Sequence, residues 1–229
     1  MNIDCRWQFG EAMRKIGICV LLGLVASFVT GSEKDVRKES VEPVKTEKVI
    51  FAGGCFWCIE SAFTATPGVK KAVSGYTGGS KANPSYKEVC SGTTGHYEAV
   101  EVTFDPSKIS FLETLNKFWQ QIDPTDEGGQ FADRGPQYGT AVFYFSDRQK
   151  TIIEASKKAI DESLMFSKPV VTKVLKAAPF YPAEEYHQKY SKKNPLHYNL
   201  YKAASGRSKY LEDKWSRKTC PVPNNINTK

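Results

Sequence analysis

Histidine is scarce in this chain. Three occur in 229 residues, His96, His187 and His197, and none stands at ligand spacing to a cysteine. A second Cys-x-x-Cys pair is also missing: Cys55 and Cys58 have no matching partner pair, whereas a structural zinc site takes four ligands and often two such pairs. No metal is therefore expected. Internal repeats and low-complexity tracts are lacking. So is an excess of acid: 32 Lys and Arg against 25 Asp and Glu give a net charge of +7 and a pI near 9.0. The positive charges are dispersed as single residues, Lys157, Lys158, Lys189, Lys192 and Lys193 among them. No recognisable nucleic-acid module accompanies them, so a solvated basic surface is expected and nucleic acid is not expected as a partner. An anionic membrane surface is a weaker match.

The apolar run near the start, Ile16 to Val29, falls short of the roughly 20 residues that span a bilayer. Arg14 and Lys15 precede it, and Val29-Thr30-Gly31 offers a passable cleavage site. That is the three-part shape of a secretory signal, so residues 1–31 are expected to be a signal peptide or an N-terminal membrane anchor. Cys19 within the run is given no role. Export, to the periplasm or another extracytoplasmic space, would put the rest where disulfides persist. Residues 32–46 are charged, poor in large apolar groups and read as a linker. Residues 216–229 are polar, rich in Pro and Asn, and read as a flexible tail. Between them, 47–215 forms one domain of ordinary size. An apolar fraction of 40% with 12% aromatics is ample for its core.

Within that domain "EKVIFAGG" is a strand ended by glycines. From Cys55 the spacing turns helical, with Phe56, Ile59 and Phe63 on one side and Pro67-Gly68 as the stop. "VKKAVSGYTGG" reads as a second strand. "HYEAVEVTFDP" alternates: Tyr97, Ala99, Glu101 and Thr103 point one way, and His96, Glu98, Val100, Val102 and Phe104 the other. Ser110 with Glu113 forms a capping box that opens a helix, and Ser146 with Gln149 another, whose helix runs to about Leu164 with Ile152, Ile153, Ala159, Ile160 and Leu164 inward. "QIDPTDEGGQFADRGPQYG" is a long loop of the kind that carries function. "TAVFYFS" and "VVTKVLK" are further strands, and Ala183 to Tyr190 a short helix. The first six elements run β-α-β-β-α-β. The expected class is α+β, a single-domain split β-α-β (ferredoxin-like) two-layer sandwich, with two helices on one face of an antiparallel sheet.

A disulfide between Cys55 and Cys58 would close almost no loop and add little stability. The pair suits opening and closing better than stapling. If the first strand ends at Gly54, Cys55 sits at a helix start. Free amides and the helix dipole there lower a thiol pKa, and Gly53 and Gly54 allow the sharp turn. A thioredoxin-like disulfide exchanger competes on these grounds, but Phe56 and Trp57 between the cysteines suggest an apolar wall fit for a methyl or thioether.

Five motifs then stand together: "GGCFWCIE" at 53–60, "SGYTGG" at 74–79, "NPSYKEVCSGTTGHYEAVEVTFDP" at 83–106, "FADRGPQYGTAVFY" at 131–144 and "FYPAEEYHQKYSKKNP" at 180–195. With them the chain from about residue 47 to 198 closely resembles the A-type peptide methionine sulfoxide reductases. The resemblance implies reduction of the S epimer of methionine sulfoxide, free or in proteins and peptides, and hence repair of oxidised proteins; one enzyme serves each epimer. It implies Cys55 as the nucleophile, Phe56 and Trp57 as the aromatic seat of the S-methyl, and Glu98 as the proton donor. Glu98 shares the apolar face of its strand with Val100 and Val102, where burial would keep it protonated. Tyr86 and Tyr138 match the two phenols that hold the sulfoxide oxygen. Asp133 matches a polar residue that orders the site, and His96 and His187 are read as structural. Cys58 is the resolving candidate, with Cys220 as an alternative or relay, and Cys90 is read as a buried small apolar group. No bound cofactor is expected. The disulfide would be reduced by an external dithiol protein, thioredoxin or a thioredoxin-like one for an exported form. A monomer is expected. The rival readings are an exported thiol-disulfide oxidoreductase and a disulfide-stapled binding module tethered at the membrane.

Overall fold

The structure, a computed structural model, describes residues 45–215. The signal-like segment, nearly all of the linker, and the tail with Cys220 lie outside the described residues. The elements are β1 (Glu47–Gly53), α1 (Phe56–Thr64), β2 (Val69–Thr77), α2 (Tyr86–Cys90), β3 (Tyr97–Phe104) and α3 (Phe111–Trp119), then β4 (Gly129–Gln130), β5 (Asp133–Arg134), β6 (Thr140–Tyr144) and α4 (Asp147–Glu162). β7 (Lys173–Lys176), β8 (Phe180–Pro182), α5 (Tyr190–Lys193), α6 (Pro195–Ala204) and α7 (Arg207–Trp215) follow.

The main sheet has the order β7-β6-β1-β3-β2-β8. Its four inner strands, β6-β1-β3-β2, pair antiparallel and carry the expected split β-α-β arrangement. Two features depart from the expectation. β7 lies parallel to β6, because α4 serves as the crossover that a parallel neighbour needs, so the sheet is mixed. The same α4 adds a third helix to the face held by α1 and α3. Its Ile152, Ile153 and Ile160 share one core with Phe56, Ile59 and Phe63 of α1, with Leu115 and Phe118 of α3, and with Val49, Phe51, Val100 and Val102 of the sheet. Ile50, Ala52, Ala99, Ala141 and Phe143 form a smaller cluster on the other face. The strand alternation read for β3 is therefore the one observed, and it turns Glu98 toward the helices.

The Ser110 box forms in full: the Ser110 hydroxyl accepts from Glu113 N at 3.1 Å, and Glu113 Oε2 accepts from Ser110 N at 2.8 Å. The second box forms by half. Ser146 Oγ accepts from Gln149 N at 3.3 Å, but the Gln149 amide reaches past it, accepting from Phe145 N at 2.8 Å and donating to Lys48 O at 2.9 Å. That buried side chain ties α4 to β1. Leu164, expected inward, lies beyond the helix with a φ of 55° and is 86% exposed. β7 begins at Lys173 rather than Val170 because Val170 N donates to Asp161 Oδ1 and Val171 N to Pro124 O, which takes both amides from the ladder. The helix expected over 183–190 is a 3-10 turn at Glu185–His187. Gln188 holds it open: its amide bonds to Ser74 N, Ser74 O and Ala183 O, so the chain follows the edge of β2.

Gln149→Ala leaves Lys48 O and Phe145 N, whose bonds to it are half-buried, without their side-chain partner, a loss of about 1–3 kcal/mol over the two. Ser110→Ala removes only an exposed cap, about 1 kcal/mol. Denaturant unfolding should show the larger shift for the Gln149 variant.

Candidate active site

β1 ends at Gly53, and Cys55 caps the first turn of α1. Gly54 between them has a φ of +76°; a Cβ there would come within 2.6 Å of Gln130 Cβ and 2.8 Å of Arg207 Nη2. Glycine is required on both counts. The turn delivers Cys55 and Cys58 one helical turn apart, 6% and 3% exposed, as free thiols in hydrogen-bond contact. From the neighbouring strand β3, Glu98 reaches across the helix face, and its Oε2 accepts from Phe56 N at 3.1 Å. The carboxyl thus occupies the first amide of the helix, immediately beside Cys55.

This occupancy revises one expectation. At the Cys55 thiol any lowering by the helix start is outweighed. Burial pushes it up, the hydrogen bond and nearness of Cys58 and the Glu98 carboxyl add to that, and the amide that would have favoured a thiolate already serves Glu98. Cys58 moves the other way, to about 7: the S–H of Cys55 holds it down against its own burial, helped by the positive charges of Arg207 and Lys202. Glu98 itself is raised well above the ordinary carboxyl range by burial, with Asp133 and Cys58 adding, despite the Phe56 N–H. Burial also raises the Tyr138 hydroxyl, and the acidic groups Glu98, Cys90, Asp133 and Cys55 around it add to the rise, so it is a neutral donor within the same electrostatic neighbourhood.

The aromatic pair divides. Phe56 is part of the main core and meets Tyr76, Tyr86 and His187 with its ring. Trp57 is half-buried and faces a second wall: its indole stacks on Tyr190 at 3.9 Å and meets the edge of Tyr201 at 5.8 Å. Its Nε1 donates to His187 Nδ1 at 3.1 Å. Asp133 Oδ2 accepts from the Tyr201 hydroxyl. Tyr86 opens α2, where its N–H donates to Glu184 Oε1 at 2.9 Å, and its ring lies 4.3 Å from the imidazole of His187. The other Glu184 oxygen accepts from Tyr76 Oη at 2.8 Å. The structure thus brings Cys55, Cys58, Glu98, Tyr138 and Asp133 within reach of one another's charge, with Tyr86 joined to them through the ring of Phe56 and Trp57 through Tyr201. Cys90 is half-buried at the end of α2 rather than fully buried, and interacts with Tyr138. His96 bonds to Gly79 N and Lys81 O and holds a loop, as its structural reading implied. His187, read the same way, lies against the site.

Sequence reasoning missed Glu184, Tyr190, Tyr201 and Arg207. All four come from the C-terminal segment that folds back over α1. The aromatic and acidic residues of "FYPAEEYHQKY" were the available signal, but no periodicity links them to a cysteine more than a hundred residues upstream.

Two buried free thiols in contact, with a neutral carboxyl and phenols beside them on an α+β scaffold, define a thiol-based oxidoreductase. Comparison with known proteins narrows the class. The sequence model described as peptide methionine sulfoxide reductase matches residues 47–219. The peptide methionine sulfoxide reductase MsrA of Bacillus velezensis is 57% identical over 171 residues, which cover 75% of this chain and 97% of that protein. The MsrA of Listeria innocua is 55% identical over 180 residues, 79% of this chain and 99% of that one. Among solved structures, methionine sulfoxide reductase A of Corynebacterium diphtheriae superposes with a TM-score of 0.60 at 33% identity, covering 68% of this chain and 78% of that chain. Mxr1 of Saccharomyces cerevisiae in reduced form gives 0.63 at 30% identity, covering 68% and 89%. The chain belongs to the peptide methionine sulfoxide reductase family.

His187 accepts from Trp57 and is buried, and burial lowers its pKa to about 4. The unfolded chain takes up this proton near pH 6.5 and the folded one does not. The contribution is therefore complete above 6.5 and is lost as pH falls toward 4, by about 3 kcal/mol at most. Stability measured over that range should fall more steeply for the parent than for His187→Asn, whatever their difference at pH 7.

Proposed function

We propose that this oxidoreductase returns methionine S-sulfoxide, in proteins or free, to methionine at the site built around Cys55, and so repairs oxidised proteins. The observation that carries the reading is the Glu98 carboxyl, buried, raised well above the ordinary carboxyl range by that burial, and bonded to the amide next to Cys55. Sulfoxide reduction by a thiol needs attack at sulfur and a proton at oxygen together, and this pair supplies both from side chains that act on one another at the start of α1. Cys55 attacks the sulfoxide sulfur, Glu98 delivers a proton to the oxygen, and the hydroxyls of Tyr86 and Tyr138 hold that oxygen by hydrogen bonds. The S–O oxygen passes to Cys55. Methionine leaves, Cys55 becomes a sulfenic acid, and Glu98 recovers its proton from the one the Cys55 thiol gave up. Trp57 is the exposed side of the methyl seat and Phe56 its buried backing; Asp133 holds the wall through Tyr201.

Cys58, in contact with Cys55 and lowered to about 7 by that contact, is the resolving thiol. It condenses with the sulfenic acid to a disulfide and water. An external dithiol protein of the thioredoxin kind then reduces the disulfide by exchange. The signal-like N-terminal pattern supports an extracytoplasmic site of action.

The reduced full-length chain should turn over an S-sulfoxide peptide with dithiothreitol, and Cys55→Ser should be silent. Glu98→Gln should lose about 10²–10⁴-fold in rate, the usual worth of a positioned acid. Because Glu98 titrates well above the ordinary range, parent activity should fall as pH rises through its pKa. Cys58→Ser should release one methionine per protein without reductant and then stop. A folded, reduced parent that leaves sulfoxide untouched while reducing insulin disulfides would transfer the assignment to plain thiol-disulfide exchange. Mass mapping after one turnover separates a Cys55–Cys58 bond from a Cys55–Cys220 bond.

A further inference from the structure

Arg207 opens α7 and is 1% exposed. Its Nη2 donates to Gly53 O at 2.9 Å and its Nη1 to Gln121 O at 2.6 Å, while the guanidinium lies 4.6 Å over the ring of Phe131. It packs so tightly on the turn before Cys55 that the Gly54 Cβ position is 2.8 Å from Nη2. Among the described residues no carboxylate forms an ion pair with it. Asp133 is within its electrostatic reach, but burial raises that carboxyl and Tyr201 holds it. A guanidinium does not shed its proton. The two carbonyls and the ring solvate this charge without neutralising it, so an anion forming nearby would be favoured.

The geometry points to Arg207 as a positioning residue for the resolving step: the internal counter-ion of the Cys58 thiolate, anchored on the turn that presents Cys55. This rests on the reading of Cys58 as the resolving thiol. In that step ionised Cys58 attacks the Cys55 sulfenic sulfur. An S–S bond forms, the S–O bond breaks, and the leaving hydroxide takes up a proton equivalent to the one Cys58 released, departing as water. The groups that act on Cys58 are Cys55 at the start of its own helix, Glu98 of β3, Asp133 of β5, Tyr198, Tyr201 and Lys202 of α6, and Arg207 of α7. Both cations favour the thiolate and the carboxyls oppose it. Lys202 is half-buried and can be screened by water; Arg207 is sealed in, so its charge acts at close to full strength.

The test uses reduced full-length protein mixed with one equivalent of sulfoxide and no reductant. The reaction is quenched by alkylation from pH 5.5 to 9 and the Cys55–Cys58 disulfide is counted by mass. Arg207→Gln should move the pH midpoint of disulfide closure up by about one unit, which at low pH is about a tenfold slower closure. Arg207→Lys should keep most of the parent profile even where its melting temperature falls. A folded Arg207→Gln with the parent midpoint overturns the proposal and leaves Arg207 a structural tie. A second measurement needs no neutral variant to fold: in the parent, the guanidinium N–H resonances of Arg207 should shift as Cys58 titrates, and that inflection should vanish in Cys58→Ser. Resonances that stay flat overturn the proposal equally. If the parent forms no Cys55–Cys58 bond at all, the resolving assignment fails instead, and the two failures are distinct.

Discussion

The hydrogen bond from Phe56 N to the Glu98 carboxyl is the contact on which this molecule turns. It joins the first amide of α1 to the strand next to β1, and so fixes where a helix start stands relative to a sheet. Nothing in it is free to slide. β1 and β3 are registered residue by residue from Glu47–Phe104 to Phe51–Val100, and a one-residue slip would turn Glu98 to the other face. The split β-α-β order puts β3 between β1 and β2, so a strand distant in sequence becomes the one able to reach the turn after β1. The apolar packing of Phe51 on Phe63 and Phe118, with ring centroids 5.0 and 4.6 Å apart, holds α1 and α3 against that sheet. Burial then does the chemical part. It keeps the carboxyl neutral, which lets one group accept from an amide with one oxygen and still carry a proton.

The same bond explains why local reasoning about the thiols was incomplete. A cysteine at a helix start ordinarily gains acidity from the free amides there. Here the amide is claimed, the sulfur is buried, and the neighbouring thiol draws the ionisation to itself. The pair therefore divides the labour unequally, with Cys55 more protonated at rest and Cys58 less so. Each property suits the step assigned to it: Cys55 brings a proton equivalent to a reaction that consumes one at oxygen, and Cys58 closes the disulfide as an anion.

Much of the scaffold was legible because its signals are short-range. Strict alternation in "YEAVEVTF" gave the face of Glu98, the Ser110–Glu113 spacing gave a helix start, and the glycines before Cys55 gave the turn. What was not legible depends on partners far along the chain. Gln149 looks like half of a cap until Lys48 O is placed beside it. Residues 183–190 look helical until Gln188 finds both backbone groups of Ser74. The wall of Tyr190, Tyr201, His187 and Arg207 has no periodic relation to Trp57 or Cys55 and emerges only when α5, α6 and α7 are laid over α1. Leu164 differs for a simpler reason: helical spacing does not show that α4 stops at Glu162 and that Leu164 itself takes the left-handed turn.

That late-arriving wall has a bearing on how the protein is made. Cys55 and the residue that seals its turn, Arg207, are separated by most of the domain. At the ordinary pace of synthesis, 5–20 residues per second, the chain between them takes roughly 8–30 s to appear. For that interval the two thiols lack the cover that α5, α6 and α7 provide in the folded chain. A nascent chain met by oxidants then would close its disulfide before the pocket exists, or be captured by another protein's thiol. Maturation of this enzyme is thus exposed to the redox state of the compartment in which it folds, as its turnover is to the reductant that serves it afterwards.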